Sequence, residues 1–457
     1  MEQIYLCCQL TQKKLLSETT ENGALEYGFT HERIKAAVSE KLTVTARRLL
    51  CLRVAEYLQK KQGEEYSPDQ LIYYYEQGGD QLHALRYRIE ALERDAGVYY
   101  ELMPTLGGHI SAERQDENRL VEYYESLEDQ LASLRRSCWG DDEQELNRLE
   151  RMLLHAQGCY YIHEGIYDKG LPVLERLLRV SEAAGSREMT LNAHRQYVYY
   201  GIQTCDKELM HRHIESSAAL IQDSVSPEYG VLLRLRGLLL LMQGKYEDAR
   251  ERFREAIRTF RTLEDRVDGK YAINIAGCYN YMAETYRLQG DYDSAFSHYD
   301  QAINYNRNRE YYPGAAVFYT NYGVAAWQTG QRDEAQRMFR CAVRIYAGSH
   351  EYSAYPIALS YLAYYDAEDG CEEQAAERLQ YALTLSRRIG SDWWTGITLY
   401  MMWKIRKLLE AKGGVHPKLA SLWPADEREH CELALRYLQK LQPRLETDEM
   451  EQALHKL

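Results

Sequence analysis

One unit of sequence recurs along the middle of the chain at a nearly fixed spacing. Each copy has a small residue, a glycine seven positions later, alanines at twelve and nineteen, and an aromatic residue or leucine at sixteen. We call the first position the small mark, the second the glycine mark and the one at sixteen the large mark. The small and glycine marks of the four copies are Gly237 and Gly244, Ala283 and Gly290, Gly323 and Gly330, and Ala363 and Gly370. Such a period indicates one supersecondary unit stacked many times.

The marks within each unit predict two packed helices. The small mark allows a close helix crossing, and the glycine mark ends the first helix because a left-handed cap costs glycine least. The acidic run that follows, such as Asp291-Tyr292-Asp293, places negative charge at the positive end of the second helix. The large mark and the alanine three positions later share one helical face. Each unit is therefore a helix, a turn and a second helix.

The order of these marks resembles the tetratricopeptide repeat, which has small, glycine, alanine and aromatic positions in the same order. The proline that closes a repeat in that family is replaced here by Arg261, Arg307, Ala347 and Arg387. Longer second helices follow, which suits a unit near forty residues, as in the solenoid of the maltose-regulon activator and related bacterial signalling proteins. The resemblance implies an all-α fold, a tetratricopeptide-like α-α superhelical solenoid.

The spacing extends on both sides of the four clear copies. Two weaker copies carry Gly165 and Cys205 at the glycine mark, so at least six repeats span residues 146–390. A seventh pair is expected over Trp393–Ala411 and Glu427–Leu441, and a terminal helix over Thr447–Leu457 is expected to cover the last repeat. We predict three segments: a partial winged-helix-like segment over 1–60, an irregular helical linker or degenerate repeat over 61–145, and the repeat solenoid with its C-terminal cap over 146–457.

The first sixty residues do not follow the repeat. The pattern predicts a helix over Ile4–Leu16, a hairpin arm over Leu25–Phe29 after the turn Glu21-Asn22-Gly23, and helices over His31–Glu40 and Ala46–Gln59 with Thr30 and Thr45 as N-caps.

The run from Tyr27 to Ile34 resembles the winged-helix end of STAND proteins, which are signal-transducing ATPases with numerous domains. In that family a Phe-x-His-Asp signature follows the hairpin, and its histidine approaches the ADP phosphate in the resting state. His31 is the matching residue, with Glu32 in place of the aspartate. The resemblance implies nucleotide sensing by His31 and an ATPase module upstream, since the chain has no GxxxxGK[ST] loop. The alternative is that His31 caps a helix or packs in a small core.

Composition excludes several function classes. The formal net charge of −13 argues against general nucleic-acid binding, and no apolar run is long enough for a membrane span. Ten cysteines without a CxxC pair suggest buried thiols in a reducing cytoplasm. No GxSxG, HExxH or GxGxxG motif occurs, so we expect neither an enzyme nor a cofactor. His211 and His213 do not share a helical face, which makes a metal pair a poor interpretation.

The concave face formed by the first helices is the predicted binding surface. We expect the residue three before each small mark, together with the residues one and four after it, to line a groove. This hypothesis selects His155, Arg195, Tyr199, Arg234, Asn280, Glu284, Arg287, Thr320, Trp327, Ser360 and Tyr364. Because Arg195 and Arg234 occupy equivalent places in consecutive repeats, an acidic peptide or small anionic inducer is the expected ligand. The alternatives are neutralisation of both arginines by acids such as Glu284 or Glu228, and a solvated face without a ligand.

We therefore expect a ligand-sensing and protein-interaction module of a bacterial STAND-type signalling or transcription regulator. It would bind a partner, peptide or small inducer in its groove and relay that event to an ATPase or output domain. Two alternatives stay open: a freestanding scaffold or adaptor, and a quorum-type peptide receptor. The last normally carries its own DNA-binding helices in front of the repeats.

Overall fold

The computed structural model describes residues 7, 9–21, 24–60, 68–102, 117–137, 140–264, 269–305, 314–348, 352–439 and 445–457. These residues form two compact units, one of residues 1–91 with 126–146 and the other of residues 92–125 with 147–457. We call them unit one and unit two. The segment boundaries predicted from the sequence, at 60 and 145, stay a prediction. None of the described helices has the length and apolar character that crossing a membrane requires.

Unit one contains a hairpin followed by helices. Its elements are β1 Leu16–Glu21, β2 Ala24–Phe29, α1 Glu32–Lys41, α2 Val44–Lys60, α3 Pro68–Gly78 and the greater part of α4 Gln81–Tyr99. The strands pair antiparallel with Leu16 opposite Phe29. The helix predicted over Ile4–Leu16 lies partly outside the described residues and ends earlier than predicted, because β1 begins at Leu16. The predicted turn residues Asn22 and Gly23 also lie outside them.

Two predicted helix caps in unit one are wrong. The Thr30 hydroxyl donates to the carbonyl of Lys14 at 2.7 Å and so fastens the end of the hairpin. Thr43, one residue before α2, accepts from the N–H of Ala46 at 3.2 Å and takes the capping role predicted for Thr45. A small core of Ala55, Leu71, Tyr75, Ala84 and Tyr87 then packs α2, α3 and α4 together.

The described residues of unit two form seven helix pairs. Helix α5 spans Glu117–Arg135 and, like α6, has residues in both units. The first helices of the pairs are α6 Asp141–His163, α8 Arg187–Thr204, α10 Pro227–Met242, α12 Ala272–Leu288, α14 Ala315–Gln328, α16 Tyr355–Glu368 and α18 Asp392–Lys412. The second helices are α7 Tyr167–Ala183, α9 Lys207–Leu220, α11 Tyr246–Glu264, α13 Tyr292–Tyr305, α15 Arg332–Ala347, α17 Glu372–Ile389 and α20 Glu427–Leu438. A short helix, α19 Pro417–Ala420, interrupts the long connection predicted in the last pair.

The structure confirms the marks read from the repeat. The four glycine marks have φ angles of +77° to +82°, the left-handed region that ends a helix at low cost only with glycine. The four large marks, Phe253, Tyr299, Phe339 and Leu379, are fully buried. A Cβ atom on Gly237 would lie 2.6 Å from the Phe253 ring, and one on Gly323 would lie 2.7 Å from the Phe339 ring. The small mark is small because the large mark of the same repeat packs directly against it.

The weaker copies keep the same geometry with other residues. Gly165 has a φ of +74°, and Cys205 occupies the equivalent place with a φ of +60°. A left-handed cysteine is strained, so the turn after α8 costs more than its glycine counterparts. Leu174 and Ile214 take the place of the aromatic large mark and are buried, as the projected register predicts.

Unit two closes on itself between its first and sixth repeats. The Tyr167 hydroxyl donates to the carbonyl of Ile389, and Arg388 forms an ion pair with Glu164. Gly165 allows this approach, since a Cβ atom there would lie 2.5 Å from the carbonyl oxygen of Arg388. The first helices are thereby held around a shared interior space.

The terminal helix differs from its prediction in placement. Helix α21 spans Leu445–Lys456, close to the predicted Thr447–Leu457. Besides covering the last repeat, it contacts the first helix of an earlier repeat, because Glu446 accepts a hydrogen bond from Gln328 of α14 at 3.0 Å.

The contact between small and large marks leads to a stability prediction. We expect Gly323→Val to lower the free energy of unfolding by about 1–3 kcal/mol, because the added methyl groups meet the buried Phe339 ring. The variant Gly323→Ala/Phe339→Leu copies Ala363 and Leu379 of the next repeat and should lose less. Gly414→Val, at an exposed glycine with open space around it, is the control and should be neutral. Equal urea midpoints for Gly323→Val and the control would contradict the assigned packing.

Candidate functional site

The interior of unit two contains a cavity of about 240 Å³. Its walls come from the first helices α6, α8, α10, α12, α14 and α18 and from the short stretch after α4. The side chains that give it its character are aromatic rings and amides with two carboxylates: Tyr100, Glu101, Gln196, Tyr199, Tyr281, Glu284, Asn321, Trp393 and Trp394. An apolar surface with a few placed polar groups is typical of ligand-binding pockets.

The cavity-facing register differs by one residue from the predicted one. The residue two before the small mark lines the cavity in three repeats, as Gln196, Tyr281 and Asn321. The residue one after the mark lies three positions further on and shares that face, which places Tyr199 and Glu284, two of the residues selected from the sequence, in the cavity wall. Since one residue turns a helix by about 100°, the residues three before the mark point instead towards neighbouring helices.

Arg195 is neutralised by an acid that the sequence analysis did not select. Its Nε and Nη2 atoms donate to Glu101 Oε1 at 3.2 and 2.9 Å, and Tyr199 donates to Glu101 Oε2 at 2.8 Å. Burial lowers the pKa of Arg195, but the charge and hydrogen bonds of Glu101 raise it by more, so the pKa lies above its usual value. Burial, reinforced by Glu101, raises the pKa of Tyr199. The neutralising acid is therefore Glu101 rather than Glu284 or Glu228.

Arg234, at the equivalent place in the next repeat, is in the opposite situation. Its side chain is 1% exposed, and none of its three guanidinium nitrogens has a hydrogen-bond partner among the described residues. Burial raises the pKa of Tyr199 and that of Cys278. The positive charge of Arg234 lies close to both groups and acts in the opposite direction, lowering each pKa. A buried guanidinium without a partner is unfavourable unless an anion joins it.

His155 belongs to a buried network beside Glu101. Its Nδ1 lies 2.7 Å from Glu93 Oε1, and its Nε2 lies 3.3 Å from Cys159 Sγ. Burial disfavours the imidazolium, but Cys159 and Glu93 outweigh it and raise the pKa of His155. Potential metal ligand atoms of Glu101, His155 and Cys159 lie within 4.8 Å of one another. Because Arg195 already neutralises Glu101, the charges in this group balance without an added cation.

The other predicted residues mostly make contacts within the protein. Asn280 accepts from Asn321 at 3.2 Å, Thr320 bonds to its own helix, and Ser360 donates to Thr398 at 3.1 Å. Arg287 grips Glu284 through two hydrogen bonds of 2.9 and 2.8 Å. Their part in ligand binding stays a prediction.

Two predicted aromatic residues hold a cation instead of facing the cavity. The Arg332 guanidinium lies 4.0 Å from the ring centroid of Trp327 and 4.8 Å from that of Tyr364.

The histidines singled out in the sequence do not lie in the cavity wall. His31 is exposed in unit one. His213 faces His194, with 2.9 Å between their Nδ1 atoms. The sequence pair His211 and His213 therefore does not act as a unit.

Comparison with known proteins supports the repeat assignment. Two family models described as the tetratricopeptide repeat match residues 274–347 and 230–255. These stretches are tetratricopeptide repeats. They coincide with α12–α15 and with much of α10 and α11. Tetratricopeptide repeats are typically protein-interaction scaffolds without catalysis of their own, and nothing in the comparisons indicates an enzymatic activity. No curated protein matches the sequence of the chain.

Solved structures with tetratricopeptide-type folds share the architecture at low identity. The apo quorum sensor NprR from B. thuringiensis has a TM-score of 0.48 at 13% identity, covering 89% of this chain and 99% of its own. A Rap protein complexed with competence and sporulation factor has a TM-score of 0.47 at 13% identity, covering 83% and 96%. A STAND protein with a tetratricopeptide repeat sensor from Pyrococcus horikoshii has a TM-score of 0.46 at 13% identity, covering 98% of this chain but 60% of its own. At this identity the likeness concerns the fold alone.

The two arginines lead to opposite stability predictions. We expect Arg195→Met to destabilise the protein by about 3 kcal/mol, because Glu101 would keep a buried charge without its counter-ion. We expect Arg234→Met to stabilise it, because an apolar side chain of similar length replaces an unpaired buried charge. Chemical denaturation of both variants measures the difference. Loss of stability in both, by similar amounts, would contradict the described pairing.

Proposed function

We propose that unit two is a protein-interaction and ligand-sensing module that binds a peptide, or a small molecule with similar groups, in its interior cavity. The observation that carries this proposal is the lining of the cavity, where aromatic rings and amides from separate repeats converge on one space. A volume of about 240 Å³ suits a few ligand side chains rather than a folded domain. Tyr281 and Asn321 take equivalent repeat positions and can contact successive groups of an extended chain.

The charges around the cavity favour an acidic group on the ligand. Both lining carboxylates are already paired, Glu101 with Arg195 and Glu284 with Arg287. Arg234 is buried beside the lining residue Tyr199 and has no hydrogen-bond partner among the described residues, so an anion that reached it would gain a charge-assisted hydrogen bond. An acidic peptide or a small anionic inducer is therefore the proposed ligand class.

The wider setting of this proposal is a bacterial signalling or transcription regulator of the STAND type in the cytoplasm. Its support is the resemblance of the run around His31 to the winged-helix end of that family, together with the sensory use of repeats. In such a regulator, ligand binding in unit two would be relayed to an ATPase module. The alternative of a freestanding scaffold predicts no ligand in the cavity, so one binding experiment separates the two.

The test is a screen of an immobilised acidic peptide library against the full chain and two tryptophan variants. Asn321→Trp places an indole in the cavity and should abolish binding of the library hits by occlusion. Gln380→Trp adds the same side chain on the exposed face of α17 and should leave binding unchanged. Arg234→Met should weaken the hits and reduce their salt dependence. Hits that bind all variants alike, or a library without hits, would refute the proposed site.

A further inference from the structure

The C-terminal helix α21 is held by hydrogen bonds to the first helices of two repeats. Glu446 accepts from Gln328 Nε2 of α14 at 3.0 Å. Glu449 Oε2 accepts from the Tyr400 hydroxyl at 2.8 Å and from Lys404 Nζ at 2.9 Å, both on α18. Glu446 and Glu449 are three positions apart and so share the face that the repeats contact.

The surface that receives α21 offers donors and positive charge. We call Arg287, Gln328, Tyr400 and Lys404 the α21 seat. Arg287 is buried and donates to Gln328 Oε1 at 3.0 Å, which turns the Gln328 amide nitrogen towards Glu446. Burial opposes the charge on Arg287, but Glu284 and, to a lesser degree, Glu446 raise its pKa. Although the chain has a net charge of −13, the cationic and hydrogen-bond-donating groups of this seat favour acidic partners locally.

The apolar contacts of α21 come from three side chains, because Ala453 and Leu454 pack partly buried against the core cluster that contains Met450. Met450 is its one fully buried apolar side chain, whereas Leu445 at its start is 43% exposed and Leu457 just after its end is 50% exposed. Glu446 is 2% exposed, yet its Oε2 atom has no hydrogen-bond partner among the described residues. A helix of twelve residues is marginal by itself in water. The helix therefore depends on its polar and apolar contacts with unit two to stay folded.

We propose that the α21 seat is a docking site for an acidic helix of a partner protein, and that α21 is an internal occupant which this partner displaces. The partner helix would carry two carboxylates three residues apart with an apolar residue directly after the second, the pattern of Glu446, Glu449 and Met450. An amphipathic helix laid in a groove is a common mode of peptide recognition. This inference goes beyond ligand binding in the cavity and does not depend on it.

The seat adjoins the cavity through one shared ion pair. Glu284 lines the cavity, and Arg287 of the seat holds it through two hydrogen bonds. Arg287 in turn reaches Glu446 through Gln328. When α21 is displaced, the Gln328 amide loses its acceptor, Glu446. A carboxylate of the partner helix would take the place of that acceptor.

The test uses the full chain with Glu446→Lys and Glu449→Lys, which places α21 lysines against the cations of the seat. The probe is a labelled synthetic peptide of residues 445–457 with the natural sequence, added in trans. We expect it to bind this variant at least tenfold more tightly than the unchanged protein, whose seat is occupied. The matched control, Glu429→Lys/Glu432→Lys, reverses two exposed charges at the same spacing on α20 and should behave like the unchanged protein. Equal binding to the unchanged protein and the charge-reversed variant would overturn the proposal.

Hydrogen exchange on the unchanged protein covers the case in which charge reversal prevents folding. We expect the amides of α21 to exchange at least tenfold faster than the buried amides of α18, because α21 is released without global unfolding. Exchange of both helices at one common rate would make α21 an integral part of the core and would overturn the proposal. Sedimentation distinguishes a second copy of the chain as the occupant. A dimer that is lost on Glu446→Lys/Glu449→Lys would replace the proposed partner with another copy of this protein.

Discussion

The contact between the small mark and the large mark of one repeat sets the geometry of unit two. The Phe253 and Phe339 rings occupy the space where a Cβ atom of Gly237 or Gly323 would lie, so these two helix pairs cross at the distance that the rings fix. The left-handed glycine marks then turn the chain back at equal intervals. Repetition of one local contact places the first helices side by side, and every later feature of the interior depends on that alignment.

The contacts that close unit two leave a cavity between its aligned first helices, and this cavity is the candidate site. The contacts of Tyr167 and Glu164 with the end of α17 bring the first and sixth repeats together, and the cavity lies among the first helices that they hold. The two carboxylates that line it, Glu101 and Glu284, are each paired with an arginine, and Arg234 lies buried beside the lining residue Tyr199. An unpaired buried cation lowers stability, and the proposed anionic ligand would offset that cost.

The repeat itself was predictable from sequence because its marks are local. The offsets that relate Gly323, Gly330 and Phe339 follow from helix geometry and turn chemistry within forty residues. The candidate site was only partly predictable. Tyr199 and Glu284 were selected, but the cavity-facing row begins two residues before the small mark, and a one-residue error rotates the assignment by about 100°.

Other features depend on contacts between distant parts of the sequence. Glu101, which neutralises Arg195, comes from a stretch outside the repeat, so no periodic pattern points to it. Likewise, the pattern predicts α21 as a terminal helix but gives no sign that Glu446 meets Gln328, which lies 118 residues earlier. Long-range polar contacts of this kind require the folded chain.

The central claim is that ligands enter the interior of unit two rather than its outer surface. Photo-crosslinking measures this most directly, with a peptide that binds the full chain and carries a photoreactive side chain at each position in turn. Mass spectrometry then locates the attachment sites. We expect attachment at cavity residues of α8, α12, α14 and α18, such as Gln196, Tyr281, Asn321 and Trp393. Attachment confined to the exposed faces of second helices, such as Gln380 and Tyr381 of α17, would contradict it.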